Sequence, residues 1–114
     1  MTSFRIKQVN KVILEVMNKI FQDECQFPDE ALVTILGVET SPDLLYSKIA
    51  VSVFPSEKSR EVLEYLNKRV YQLQHFLNKK LDMRPVPKIK FILDATEEGA
   101  ERVEELLEKI KKEE

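Results

Sequence analysis

Between residues 31 and 54 the chain carries two β-branched runs, Leu32 to Val38 and Leu45 to Phe54, separated by the polar stretch Glu39 to Asp43. A link this short permits only an antiparallel hairpin. In the second run Leu45, Ser47, Ile49, Val51 and Val53 alternate with Tyr46, Lys48, Ala50, Ser52 and Phe54. The first set is the core-facing one by content, and the second is mixed, as expected of a sheet with one buried face. Gly37 near the end of the first strand predicts a bulge or a close backbone approach. Pro42 presets φ in the Thr40 to Asp43 turn, which can cap itself through Thr40 or Ser41.

A period of three and four governs the flanking segments. Ile6, Val9, Ile13, Met17 and Ile20 mark one face of a helix over 4–21, with Ser3 as N-cap. Cys25 and Phe27 read as apolar plugs under the polar connection 22–30. Val62, Leu63, Leu66, Val70, Leu73, Leu77 and Leu81 predict a helix over 56–81, capped by Ser56. A straight helix of that span would reach about 37 Å at 1.5 Å per residue, so a kink is expected between 67 and 71, although no Gly or Pro signals one. Pro85 and Pro87 make 82–87 an extended connector. A third strand follows over 88–94, with Ile89, Phe91 and Leu93 inward and Lys88, Lys90 and Ile92 outward. Ala100, Val103, Leu106, Leu107 and Ile110 predict a closing helix over 97–112.

The expectation is one domain over 1–114: a two-layer α/β (α+β) fold of order α-β-β-α-α-β plus a C-terminal helix. Its three-stranded sheet carries helices on one face. That order is the topology of the type II KH fold, a single-stranded nucleic acid module.

Charge adds to this picture only when it is resolved along the chain. The total is -2, yet Leu66 to Lys90 holds seven basic residues (Lys68, Arg69, Lys79, Lys80, Arg84, Lys88 and Lys90) and one acidic one, Asp82, a local balance of +6. Asp94 to Glu114 holds nine acidic and four basic residues, a balance of -5. A local positive patch is what a phosphate surface requires, although solubilising surface lysines read the same way. The one cysteine excludes an internal disulfide and fits a reducing compartment. No apolar run reaches the roughly 18 residues needed to span a bilayer, and the N-terminus has no signal-like apolar region.

The residues give little support to catalysis. His75 sits mid-helix with no nucleophile in view, and reads as a half-buried imidazole. Cys25 lacks the basic neighbour or helix start that activates a thiol, so its plain reading is structural. No Cys/His cluster, calcium loop or glycine-rich phosphate cradle is present, so neither a metal nor a cofactor is expected. Nucleic acid binding stands better. The Gly-x-x-Gly loop of KH domains is absent, so side chains would have to make the contacts: the seven basic residues above, with Arg5, Lys7, Lys11 and Lys48 as secondary contacts. Tyr71 and Phe76 could stack on bases, but such spacing is more often packing.

Specific residues also carry a family resemblance. They are Val33-Thr34-Ile35, Gly37-Val38-Glu39, Ser41-x-Asp43-Leu44, Tyr46-x-Lys48 and Val51-x-Val53, then Arg84-Pro85-Val86-Pro87, Phe91-x-x-Asp94 and Glu98-Gly99. With Arg5, Val9, Ile13 and Ile20 fitting more loosely, the chain resembles bacterial ribosome-binding factor A over nearly its whole length. The resemblance implies a non-catalytic, KH-like, cytoplasmic assembly factor. Such a factor binds immature small ribosomal subunits through rRNA, supports late rRNA maturation and is linked to cold adaptation. A monomer with no small-molecule substrate and no membrane partner is expected. The family's small Ala-x-Gly step between two helices falls here on Arg69, Val70 and Tyr71. The alternative is a protein-protein adaptor on the same fold, using the acidic last helix or an apolar rim near Phe27.

Overall fold

The computed structural model describes residues 3–94. The expected closing helix over 97–112 lies outside them. Helix α1 (Phe4–Glu24) opens on Ser3, whose hydroxyl accepts the Ile6 N–H at 3.2 Å. It ends at Glu24, beyond the expected 21. The apolar stripe stops at Phe21, but Gln22 and Glu24 are good helix formers, and Lys19 and Asp23 pair one turn apart at 3.5 Å. At Cys25 the backbone turns extended, its N–H still reaching the Phe21 carbonyl.

Strands β1 (Leu32–Thr40) and β2 (Tyr46–Phe54) pair antiparallel, and the register shifts between Ile35 and Gly37. Gly37 therefore marks a bulge, with Leu36 as the extra residue. β1 extends to Thr40, not 38, because Thr40 is buried opposite Ser47 and their hydroxyls meet at 2.7 Å. Leu45 is excluded from β2 and from the core: it is 44% exposed, held in the turn by its N–H donating to the Asp43 carboxylate at 3.0 Å. Ser41 closes the same turn, its hydroxyl donating to Asp43 at 2.6 Å and accepting the Tyr46 N–H at 3.1 Å. Ser52, on the outward set of the central strand, is nonetheless buried.

These bonds hold the Asp43 carboxyl below its usual range, the Ser41 hydroxyl first and the Leu45 N–H second. A carboxyl whose folded pKa lies below its unfolded value of 3.8 adds stability above that pH, lost as pH falls through the folded value. Asp43→Ala should accordingly lower the urea midpoint at neutral pH. The gap from wild type should close below the carboxylate range, and a gap independent of pH would contradict this account.

The connection after β2 differs from the expected long capped helix. Ser56–Lys58 forms a 3-10 turn and Ser56 caps nothing by its side chain; α2 (Ser59–Lys68) follows. Lys58 instead fastens this junction, reaching Asp29 at 2.7 Å and Glu61 at 3.8 Å. Arg69, at φ -106° and ψ 6°, separates α2 from α3 (Val70–Lys80). Leu66 and Leu73 are buried on either side of it. Each helix thus turns its own apolar stripe onto the sheet, which one straight rod could not do. β3 (Lys88–Leu93) then runs parallel to β2, making a mixed sheet of order β1-β2-β3. Ile89 and Phe91 enter the core, but Leu93 at the strand's end is 36% exposed.

The described helices α1, α2 and α3 lie against one face of the sheet. Ile49, Val51 and Val53 are buried beneath them, with Ile13, Met17, Val62 and Leu77 among their covering residues. The opposite face carries no helix among the described residues, and there Tyr46, Lys48, Lys88 and Lys90 are exposed.

Candidate nucleic-acid interface

α3 has two faces. Leu73 and Leu77 face the core, while Tyr71, Gln72, His75 and Lys79 are exposed. Tyr71, His75 and Lys79 follow at intervals of four and so stack along one outer face, with exposed Lys68 just before the break. Tyr71 is 89% exposed, which excludes the packing role its spacing suggested. Phe76 does pack, against the core and α1. His75 is exposed, not half-buried.

The end of α3 lies beside the first half of α1. Gln8, Val9, Val12, Lys80, Leu81, Asp82 and Met83 line a shallow depression between them. Arg5 falls on the same helical face of α1 as Gln8, Val9 and Val12 by its three-, four- and seven-residue spacing. Lys7 and Lys11 are exposed on the same stretch. Lys79 and Lys80 occupy the last turn of α3, where the helix dipole favours cations.

The seven basic residues do not form one surface, because two are committed to the fold and the rest divide. The Arg69 guanidinium lies over the Tyr65 ring, 3.7 Å from its centroid, and donates to the Tyr65 carbonyl at 3.4 Å. The Tyr65 hydroxyl in turn accepts the Gln26 N–H at 2.8 Å. Arg69 thus clasps the α1–β1 connection. Arg84 is a C-terminal cap for α3, donating to the carbonyls of Leu81 at 2.9 Å, Met83 at 2.6 Å and Asn78 at 3.3 Å. Lys88 and Lys90 stand on the open sheet face, Lys90 directly beside Lys48 and Lys48 beside Glu39. Lys68, Lys79 and Lys80 belong to the helical layer.

Phe27 packs edge-on to Phe21 at 5.3 Å and against Tyr65 at 5.4 Å. It is partly buried against the core, so its ring is largely engaged within the fold. Cys25 is also partly buried against the core. Burial pushes the Cys25 thiol up, against a smaller lowering by the Arg69 charge and with a further push from Glu24. That is the opposite of an activated nucleophile.

One positioning residue gave no signal in the sequence. The Gln74 amide nitrogen donates to the Pro87 carbonyl and to Asn78 Oδ1, both at 3.0 Å, and its oxygen accepts the Ile89 N–H at 2.9 Å. These bonds span thirteen and fifteen residues and fasten α3 to the start of β3. Gln74→Ala leaves two partly buried backbone groups without these partners, at about 1–3 kcal/mol each. A urea midpoint unchanged from wild type would refute this role.

Among the described residues no group of three or more His, Cys, Asp or Glu side chains could hold a metal ion. No described helix is long and apolar enough to cross a membrane. A mixed three-stranded sheet backed by helices, with a cationic and aromatic outer helix face, defines a small α/β interaction domain. The chain belongs to the ribosome-binding factor A family, whose model matches residues 5–107, and which is non-catalytic. The ribosome-binding factor A of Nitrosococcus oceani is 32% identical over 106 residues, 92% of this chain and 84% of that protein. The crystal structure of ribosome-binding factor A from Thermus thermophilus shares the fold at a TM-score of 0.64 and 20% identity, covering 77% of this chain and 94% of that one. A Thermus thermophilus homology model, fitted into the cryo-EM map of a complex of that factor with the 30S subunit, gives a TM-score of 0.62 at 21% identity, covering 73% and 88%.

Proposed function

We propose that this chain is a ribosome assembly factor that binds immature small ribosomal subunits through rRNA and supports late rRNA maturation. Family membership carries the assembly role, and the exposed Tyr71–His75–Lys79 face with Lys68 and Lys80 carries the RNA contact. The described order α-β-β-α-α-β is that of type II KH domains, which supports a single-stranded RNA target. With no Gly-x-x-Gly loop, backbone amides cannot cradle the phosphates as they do in those domains. Lysines supply phosphate contacts, Tyr71 supplies a stacking surface, and recognition is mainly of shape and charge.

The helical layer is the better RNA surface of the two cationic regions. α3 itself carries no acidic residue, and its exposed Lys79 and the preceding Lys68 line neither of the grooves against α1, where Lys80 meets Asp82 in one and Glu15, Asp23 and Glu24 in the other. On the open sheet face Lys48, Lys88 and Lys90 share space with Glu39 and Asp94. The factor acts as a monomer in the cytoplasm and needs no cofactor. Co-sedimentation with purified immature and mature small subunits at two salt concentrations tests the proposal. Preferential binding to the immature particle that weakens with salt is expected. Absence of binding to either particle would overturn it.

A further inference from the structure

The open face of the sheet carries the smaller of the two cationic regions, and strand register sets its pattern. Tyr46 stands beside Lys88 and Lys48 beside Lys90 on the neighbouring strands β2 and β3, so the side chains form one compact patch. All of them are exposed, Tyr46 by 57%. Like charges at directly neighbouring strand positions repel. Glu39 lies across from Lys48 on β1, yet among the described residues Lys48, Lys88 and Lys90 form no ion pair. The crowded charge is one that an external anion relieves.

The patch is also held in place before any ligand arrives. The Tyr46 N–H donates to the Ser41 hydroxyl at 3.1 Å, and the Tyr46 carbonyl accepts the Ser41 N–H at 2.8 Å. Lys88 donates its N–H to the Leu45 carbonyl at 2.9 Å. Gln74 grips the backbone on either side of Lys88, at Pro87 and Ile89. A surface fixed in this way loses little conformational freedom on binding.

We propose that Tyr46, Lys48, Lys88 and Lys90 form a second single-stranded RNA site, on the side of the domain opposite the outer face of α3. Lysines alone would suit any polyanion, an acidic peptide included. The aromatic ring decides for RNA. An exposed tyrosine beside cations on an open sheet is the arrangement by which sheet-platform domains stack an unpaired base and hold its phosphates. Lys88 and Lys90, two positions apart on one strand, are separated by about 6.6 Å, a step that neighbouring phosphates of an extended strand can follow. Leu73 and Leu77 turn inward while Tyr71, His75 and Lys79 face outward, so the sheet and α3 itself lie between the two sites. With both occupied, one molecule brings two RNA segments together. The site rests on the proposed rRNA reading for its class of ligand, but not on α3 as the contact surface.

Amide NMR of the isotope-enriched full chain, titrated with a single-stranded oligoadenylate of about six nucleotides, reads the two faces separately. The amides of Tyr46, Lys48, Lys88 and Lys90 should shift along their own saturation curve. They should still do so in Lys79→Glu/Lys80→Glu, where those of α3 no longer move. Tyr46→Ala should weaken the sheet-side curve by about fivefold or more. Lys88→Gln/Lys90→Gln should flatten its log-log salt dependence by about 1.4, for two lost phosphate contacts. Donor- and acceptor-labelled oligoadenylates mixed with the wild-type chain should show energy transfer, lost in either double lysine variant. Sheet amides that stay still while those of α3 shift would overturn the second site and leave the α3 reading standing. Shifts on the sheet alone would keep the site and remove α3 as the other surface, and shifts on neither face would remove RNA as the ligand of both. A sheet-side curve unchanged by Tyr46→Ala, or matched at equal affinity by oligoglutamate, would overturn the proposal by showing a general anion contact.

Discussion

Replacing Lys79 and Lys80 together with glutamate should weaken binding to immature small subunits by about tenfold to a hundredfold at moderate salt. It should also flatten the dependence of log affinity on log salt by about 2, one for each lost phosphate contact. Both side chains are exposed at the last turn of α3, so the fold should be unaffected. Arg84→Glu does not belong in this test. Its guanidinium holds the carbonyls of Asn78 in α3, Leu81 at its C-cap and Met83 in the connector beyond, and its loss would confuse stability with binding. Tyr71→Ala supplies the orthogonal result. Base stacking on an aromatic is worth about 1–3 kcal/mol, so affinity should fall while the salt dependence stays as in wild type. Filter binding or sedimentation across a salt series separates the two. Equal affinity for wild type and Lys79→Glu/Lys80→Glu at every salt concentration would exclude α3 as the rRNA surface.

The largest stability effects should come from the residues that seat the broken helix on the sheet. Leu66 is fully buried in the last turn of α2, and Leu73 is 2% exposed in the first turn of α3. Truncating either to Ala removes transfer free energy and leaves a cavity, about 2–5 kcal/mol in sum. In a domain of this size the melting temperature should fall by roughly 10 °C or more. Arg69→Ala should cost less, about 1 kcal/mol, because only a cation–π contact and a long hydrogen bond are lost. A melting temperature that falls further for Arg69→Ala than for Leu66→Ala would mean that the clasp on Tyr65, not apolar burial, holds the break.

What was legible in the sequence were features written in short-range periodicity. The hairpin, the bulge at Gly37, the Ser3 cap and the inward positions Ile49, Val51, Val53, Ile89 and Phe91 all follow from steps of two or from one local residue type. Length alone called for a break somewhere in 67–71, and the structure puts it at Arg69. The misread boundaries have local competitors. Leu45 looked like core by alternation, but the Asp43 carboxylate holds it in the turn. Ser56 looked like a cap, but the chain makes a 3-10 turn first and Lys58 fastens the junction through Asp29, far upstream.

The candidate site was legible only as a list of charges. Sequence gives the number and sign of the lysines and arginines between 66 and 90, because charge is a property of the residue. It cannot say which are already engaged, because the partners of Arg69 and Arg84 depend on where a ring and three carbonyls fall in space. Nor can it divide the remainder, since Lys90 is carried to the open face beside Lys48 by a parallel strand pairing across a 42-residue separation. By itself the sequence determined the order of the described elements, most of their inward positions and the family. The tertiary structure decided which cations and which aromatic face outward together. Side-chain direction is set by local periodicity, whereas adjacency between distant segments is set only by how the layers pack.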